Sequence, residues 1–188
     1  RGRIPSVYPF RYNGTYLWDT QGYQEGTVMY NGKLYGHVFL NVDAYEMELL
    51  VKADKGMASV KVYRDQVAWF TMGERKFLNL RYLGFKDAPE GFFFLERDGE
   101  NPLLVQVRKQ FQSVTGNHNG DPIGYTDPEY DPDVISFFRQ QKSYYTIRDG
   151  KVLKIRRRAF EKSLRSPAGE PLLASLKDRW NPSEAETG

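Results

Sequence analysis

Histidine is the side chain best suited to proton transfer near neutral pH, and this chain has two histidines. His37 lies in a Tyr- and Phe-rich segment, and His118 lies in a Gly- and Pro-rich one. Neither has a nearby carboxylate placed to orient it, as a general base or a metal ligand would need. The sequence has no cysteine and no G-x-S-x-G, phosphate-loop or H-E-x-x-H motif. We therefore predict no catalytic residue, no metal ligand and no cofactor.

Residues 119–133 are rich in carboxylates, which supply the oxygen ligands that calcium prefers. This segment has no basic residue and five acidic ones: Asp121, Asp127, Glu129, Asp131 and Asp133. Prolines interrupt their spacing and the EF-hand pattern is absent, whereas Asp-Pro and Asn-Gly pairs are typical of ordinary loops. We interpret residues 113–133 as one long loop with solvated acidic side chains, and calcium binding is the alternative.

The stretch 148–165 has the opposite charge. It contains eight basic residues against Asp149 and Glu161, a net charge of +6. Such a patch could contact phosphate backbones or an anionic membrane surface, or it could face the acidic loop or solvent. Nucleic-acid-binding modules usually combine a basic patch with exposed aromatic side chains, and the nearby Tyr144 and Tyr145 could equally belong to the core. We favour solvated or intramolecular charge and regard nucleic acid as an unlikely partner.

The sequence does not identify a pair of carboxylates for catalysis. Glycoside hydrolysis needs two carboxylates facing each other across a cleft. The chain has 24 acidic residues, and no pair among them is distinguished by spacing or context. A hydrolase stays an alternative without assigned residues.

Two Asx-Gly turns predict the elements that must position these side chains. Asn31-Gly32 and Asp149-Gly150 each lie between two apolar runs, which is the strongest short-range signal of a β-hairpin. At the first turn, a two-residue loop would place Met29 opposite Leu34 and Val28 opposite Tyr35. Aromatic residues make up 15% of the chain, which also favours sheet.

Period-2 alternation predicts further strands between the turns. A looser turn at residues 98–102 would join a strand at 92–95 to one at 103–111. The in-facing residues of three strands are Leu103, Val105, Val107 and Phe111; Ala58, Val60 and Val62; and Met47, Leu49 and Val51. Strands are also expected at 67–71 and 77–82. Nine or ten short strands joined by tight turns predict an antiparallel meander that forms a barrel or a sandwich.

After Ile155 the apolar period becomes helical. Phe160 and Leu164 lie four residues apart, and a second apolar stripe follows the break at residues 166–169, with Leu172, Leu173, Leu176 and Trp180. We predict a mostly β (α+β) domain over residues 1–180. It has an irregular arm at 1–20, a β body at 21–156 and one or two packed helices at 157–180, followed by a polar tail at 181–188.

Bulk properties set the remaining limits. The length of 188 residues suits one domain, and the net charge is +3. No apolar run reaches the roughly 18 residues of a membrane span. The chain starts at Arg1 without an initiator Met or a signal-type run, so either a leader has been removed or the chain has been trimmed.

Two stretches resemble a family of exported Bacteroidetes proteins of unknown function. The first comprises residues 32–35, 38–45 and 48–52, and the second is the Tyr-Tyr hairpin at 143–155 followed by a basic helix start. The resemblance spans roughly residues 26–165. It implies an extracytoplasmic location in the cell envelope after signal-peptide removal, and it supplies no catalytic residues.

These observations favour a non-enzymatic extracytoplasmic module that binds an unknown protein or envelope component. A carrier of a lipid or other hydrophobic ligand is the alternative, because a β-meander with helices over its mouth can enclose a cavity. A hydrolase with an unmarked carboxylate site comes third.

Overall fold

Ten antiparallel strands form one sheet in the computed structural model, which describes residues 2–8, 12–113 and 136–171. The strands are β1 (Gln24–Tyr30), β2 (Lys33–Asp43), β3 (Glu48–Lys52), β4 (Val60–Lys61), β5 (Val67–Met72), β6 (Arg75–Leu78), β7 (Phe93–Arg97), β8 (Leu103–Ser113), β9 (Ser136–Arg148) and β10 (Lys151–Ile155). A 3-10 turn at Arg64–Gln66 precedes β5, and one helix, α1 (Arg157–Leu164), follows β10. The prediction of a mostly antiparallel β fold with a C-terminal helix is confirmed.

The strand order across the sheet is β10-β9-β8-β7-β6-β5-β1-β2-β3-β4. The edge strands β4 and β10 do not pair with each other, so the sheet is sandwich-like rather than a closed barrel. Both Asx-Gly hairpins form as predicted. Val28 pairs with Tyr35 and Met29 with Leu34 in the first, and Arg148 pairs with Lys151 in the second.

The sheet curves around an aromatic core. One buried cluster joins Val42 of β2 and Leu49 of β3 to Phe77 of β6, although these strands are not neighbours. Within it the Phe70 and Phe77 rings stack with centroids 4.8 Å apart. The curvature needs a close approach of β1 to β5, because a Cβ on Gly26 would lie 1.7 Å from the carbonyl oxygen of Thr71. We call this side of the sheet the concave face.

The opposite face is covered by the connection between β6 and β7. Leu80, Leu83 and Ala88 of that connection pack against Trp69 and Phe93 of the sheet. The strand predicted at residues 77–82 is therefore too long. It ends at Leu78, and the following residues turn away so that Leu80 and Leu83 can be buried.

Two further elements lie on the concave face. Trp18 of the N-terminal arm packs edge-on against Phe77 with centroids 4.8 Å apart, and α1 inserts Phe160 into a cluster with Leu103, Val105 and Val107. In its described residues the arm pairs with the sheet through isolated bridges, including one between Leu17 and Asp43. The second C-terminal helix, predicted from Leu172 to Trp180, lies outside the described residues.

Candidate binding groove

An apolar groove of about 590 Å³ opens on the concave face beside the edge strand β4. Its lining residues are aliphatic or aromatic apart from one glycine: Gly2, Val28, Tyr30, Tyr35, Val38, Val51, Ala53, Met57, Ala58, Val60 and Val62. Small-molecule sites typically have volumes of roughly 300–1,000 Å³ and mostly apolar walls. The groove therefore has the size and lining of a ligand site.

The base of the groove continues the core. Val28 is buried, and Val38, Val51 and Val62 are half-buried and pack against the aromatic cluster. The outer wall is exposed, because Met57 keeps 57% of its surface accessible, Tyr35 46% and Val60 41%. Exposed apolar side chains grouped on one wall usually mark a surface that another molecule covers.

The N-terminal segment forms the far wall of the groove. Arg3 and Lys61 exchange two backbone hydrogen bonds of 2.7 Å, so the segment extends the sheet beyond β4. A Cβ on Gly2 would lie 2.7 Å from Cβ of Val60, so a residue without a side chain is needed for this approach. The Arg3 guanidinium lies 4.7 Å from the centroid of the Tyr63 ring and donates to Glu48 at 3.3 Å, which fixes the segment.

A β-bulge shapes the opposite end. Gly26 pairs with Val38 and Val28 with Tyr35, so Gly36 and His37 together face the single residue Thr27. His37 takes a left-handed φ of 54° at this bulge. Bulges bend and twist the strand that carries them, so this one is expected to increase the local twist of β2 beside the groove.

Sequence reasoning found part of this site. Ala58, Val60 and Val62 were predicted to share one face of a strand, and all three line the groove. The strand itself is shorter than predicted, because β4 comprises only Val60 and Lys61. Met47 was predicted to share a strand face with Leu49. It lies instead in the turn before β3, with a left-handed φ of 56°.

His37 is a surface residue. Its side chain is 94% exposed, and its Nδ1 lies 3.0 Å from a carboxylate oxygen of Glu25, which is itself largely exposed. The pair sits on a solvated strand surface and forms no enclosed site. His118 and the acidic loop at 119–133 lie outside the described residues, so calcium binding there stays a prediction. Within the described ranges, no three His, Asp or Glu side chains are grouped so that they could hold a metal ion.

Asp43 is the most enclosed carboxylate near a tyrosine. It is 2% exposed and accepts a 2.6 Å hydrogen bond from the Tyr8 hydroxyl. Its other oxygen accepts the backbone N–H groups of Tyr45 and Glu46. Burial raises the pKa of the Asp43 carboxyl despite these hydrogen bonds. Each oxygen is therefore used in holding a turn and the N-terminal arm together, which favours a structural role.

Aromatic rings surround the Tyr8–Asp43 pair. We call this group the tyrosine cluster; it comprises Tyr8, Tyr12, Tyr16, Tyr45 and Phe138. The Tyr8 and Tyr16 centroids are 4.6 Å apart, and Tyr45 lies 5.6 Å from Phe138 of β9. The rings fill the space between them, so the cluster connects β2 to β9 by packing.

A second cleft, of about 390 Å³, lies between α1 and the sheet. Its walls alternate between aromatic rings such as Trp18 and Tyr144 and charged side chains such as Lys142 and Glu161. This mixed lining distinguishes it from the groove beside β4, which alone combines a wholly uncharged lining with an exposed apolar wall among the cavities described here.

The basic stretch forms a solvent-facing surface on the β9–β10 hairpin and α1. Its only described ion pair joins Arg157 to Glu161 at 2.9 Å. In the described part of the chain, no helix is long and apolar enough to cross a membrane. Comparisons with protein-family models, curated proteins and solved structures find no match for this chain.

Proposed function

We propose that the protein is a non-enzymatic binding module whose groove beside β4 receives an apolar group of a partner. The single observation that carries this proposal is the exposed wall of Tyr35, Met57 and Val60 over a floor continuous with the core. Transfer of such surface from water is favourable by about 25 cal/mol per Å², so a partner that covers the wall gains affinity from burial alone.

The lining of the groove supports the non-enzymatic part of the proposal. Among the described residues that line it, none is acidic, basic or histidine. General acid–base catalysis needs a titratable group within hydrogen-bond reach of the reacting atoms. The hydroxyls of Tyr30 and Tyr35 are the polar side-chain groups of this lining, and they could orient a ligand by hydrogen bonds.

An extracytoplasmic location is part of the proposal. Its support is the resemblance of residues 26–165 to exported envelope proteins, and the partner would then be a protein or another component of the envelope. The location can be tested separately from the groove, by fractionating the host and probing each fraction with an antibody.

A carrier of a hydrophobic ligand is the second candidate, and the volume of about 590 Å³ favours it. The stacked Phe70 and Phe77 fill the interior of the sheet, so such a ligand would lie in the open groove rather than in an enclosed cavity. The exposed outer wall therefore suits a partner that completes the site better than a fully enclosed ligand.

The groove is tested with Ala58→Phe, which should fill it from an exposed position. The matched control is Asp54→Phe, which adds the same ring four residues earlier at an exposed position outside the lining. The probe is anilinonaphthalene sulfonate, whose fluorescence rises in apolar sites. We expect saturable binding to the native protein and to Asp54→Phe, and loss of binding in Ala58→Phe. Equal binding by all three would contradict the groove as the site.

Native mass spectrometry of the protein purified from its host separates the two candidates. A stoichiometric protein partner that Ala58→Phe loses supports the binding module. A lipid that co-purifies with the native protein and is lost from the same variant would sink the module and support the carrier.

A further inference from the structure

The basic stretch places most of its cations on one side of the molecule. We call the basic surface the set Arg148, Lys151, Arg158, Lys162 and Arg165, all of which are exposed. None of them makes an ion pair within the described part of the chain. Like charges at this density repel one another, so a surface of opposite charge would be stabilising.

Helix geometry directs three of these cations away from the sheet. Phe160 is the buried residue of α1 and packs against β8. Residues two positions before and after it lie on the opposite side of a helix with 3.6 residues per turn. Arg158 and Lys162 occupy these positions, and Arg165 follows one turn after them. The outer side of α1 is therefore basic.

Strand geometry brings the hairpin cations to the same side. Ile155 and Tyr144 belong to the cluster that Phe160 joins, so their side of the sheet is the one that α1 covers. Side chains alternate along a strand, and Leu153 and Lys151 therefore share the side of Ile155. Arg148 pairs directly with Lys151 and faces the same way.

An exposed leucine accompanies the hairpin cations, because Leu153 is 41% exposed on the side of β10 that also carries Lys151. Surfaces that adsorb to membranes combine cations for the phosphate groups with apolar side chains that enter the head-group region. A nucleic-acid phosphate backbone has no comparable use for exposed leucines.

The aromatic rings of the same hairpin are not available for stacking on bases. Tyr144 packs against Phe160 with centroids 4.9 Å apart, and Tyr145 is 7% exposed against Phe93. Single-stranded nucleic acids are bound largely through exposed aromatic platforms. These observations favour a membrane surface over RNA or DNA.

We propose that the basic surface docks the protein onto a membrane that contains anionic phospholipids. Arg158, Lys162 and Arg165 contact lipid phosphates, and Leu153 enters the head-group region. The basic surface and the groove lie at different ends of the sheet, because the basic surface is near the β10 edge and the groove is beside the β4 edge.

Vesicle co-sedimentation of the full chain tests the proposal. The vesicles contain phosphatidylcholine alone, or phosphatidylcholine with one third phosphatidylglycerol. We expect binding only to the second kind, weakened by added salt because the Debye length shortens. Each cation near an anionic surface strengthens binding roughly fivefold, so Arg158→Glu with Lys162→Glu should weaken it by about 25-fold or more. The control, Lys33→Glu with Lys86→Glu, changes the net charge equally at exposed positions outside the basic surface and should bind normally.

Leu153→Ser distinguishes the two kinds of anionic partner. It should weaken vesicle binding severalfold and leave any binding to a DNA duplex of random sequence unchanged. Folding of each variant is checked by circular dichroism, and Arg158→Gln with Lys162→Gln replaces the charge reversal if the latter does not fold.

Several results would overturn the docking proposal. Equal binding to both vesicles excludes charge recognition, and equal weakening by the control pair excludes the basic surface as its location. Tighter binding to DNA than to anionic vesicles, with no effect of Leu153→Ser on the vesicles, would assign the surface to nucleic acid. A changed unfolding free energy with unchanged vesicle binding would show that the cations serve an intramolecular partner.

Discussion

The β1–β2 and β9–β10 hairpins are built on the same turn and end in different surfaces. Asn31 and Gly32 have φ angles of 50° and 73°, and Asp149 and Gly150 have the same two values. The β9–β10 ladder is regular and α1 packs against part of its concave face, whereas the β1–β2 ladder contains a bulge and leaves part of that face as the groove. Turn chemistry therefore sets the pairing of two strands but does not decide what covers them.

The tyrosine cluster joins the two regions. It connects Asp43 at the end of β2 and Tyr45 in the following turn to Phe138 of β9, with Tyr8 of the N-terminal arm between them. A backbone hydrogen bond of 2.9 Å from Lys109 of β8 to the carbonyl of Ala44 reinforces this contact. The groove and the basic surface thus belong to one folded unit with two separate candidate binding surfaces.

The largest effects are expected where the concave face is already filled. Phe77→Ala should lower the free energy of unfolding by about 3–5 kcal/mol, because it removes the ring that stacks on Phe70.

Phe160→Ala should lower the free energy of unfolding by about 3 kcal/mol and uncover the β8–β9 face. The second variant should then bind more anilinonaphthalene sulfonate than the native protein, since it turns the covered region into a groove-like one. Urea unfolding and dye titration measure the two quantities, and unchanged dye binding by Phe160→Ala would contradict this account of the cover.

The next largest effect is expected at the tyrosine cluster, where the hydrogen bond between Tyr8 and Asp43 helps to join the two regions. Tyr8→Phe leaves a buried oxygen of Asp43 without its donor and should cost about 1–3 kcal/mol at neutral pH. Burial, and then the hydrogen bond to Asp43, raise the pKa of Tyr8 above its ordinary value. The folded state therefore favours the neutral phenol of Tyr8. The contribution of this phenol to the free energy of unfolding is fully present below the unfolded pKa of about 10, and it is lost as the pH rises above that value.

The expected loss of stability with rising pH is tested by measuring the free energy of unfolding between about pH 8 and pH 11. Stability of the native protein should fall over this range, and Tyr8→Phe should show a shallower fall. Burial also raises the pKa values of Tyr12 and Tyr16, so the variant keeps part of the dependence. Parallel curves for the two proteins would show that Tyr8 does not titrate differently on folding.

A smaller and equal effect is expected at the two turns. Gly32→Ala and Gly150→Ala each place a side chain at a φ of 73°, which costs about 1–2 kcal/mol. Open space surrounds both positions, so neither substitution adds a steric clash. Chemical denaturation of the two variants should give costs that agree within about 0.5 kcal/mol. A clear difference would mean that the neighbouring regions alter the turns.

The smallest effect comes from matched exposed residues. Val60 in the groove and Leu153 in the basic surface are both 41% exposed. Val60→Ser and Leu153→Ser should each change the unfolding free energy by no more than about 0.5 kcal/mol. Dye binding should fall for Val60→Ser alone. Equal loss in both variants would place the dye outside the groove and weaken the contrast between the regions.

Much of the fold could be predicted because its signals are local. The Asx-Gly turns fixed the register of two hairpins, and alternation placed β8 and the in-facing side of residues 58–62. The strand predicted at 77–82 was too long, because the residues after Leu78 are apolar for another reason: they cover the second face of the sheet. Such contacts join residues far apart in sequence, and they produce no periodic pattern of apolar residues from which they could be predicted.

The candidate site was less predictable than the fold. Alternation predicted that Val60 and Val62 share a strand face, but a groove wall and a core strand have the same alternation, so the pattern did not reveal the groove. The sequence has no cysteine and no nucleophile motif, and neither feature could indicate where an apolar surface stays uncovered. The basic stretch was visible in the sequence, whereas the burial of Tyr144 and Tyr145 against Phe160 and Phe93 was not.

The sequence by itself determined the pairing of the β1–β2 and β9–β10 hairpins, the helix after Ile155 and the concentration of positive charge near the C-terminus, because each depends on residues within one turn or one hairpin. Only the tertiary structure decided which faces are covered. Phe160 closes the concave face over β8 through a helix, while Gly2 and Arg3 reach β4 and leave the face beside it open. The physical reason is that the burial of a side chain depends on long-range contacts. The same alternation of apolar residues occurs in a strand of the filled core and in a strand that lines an open groove.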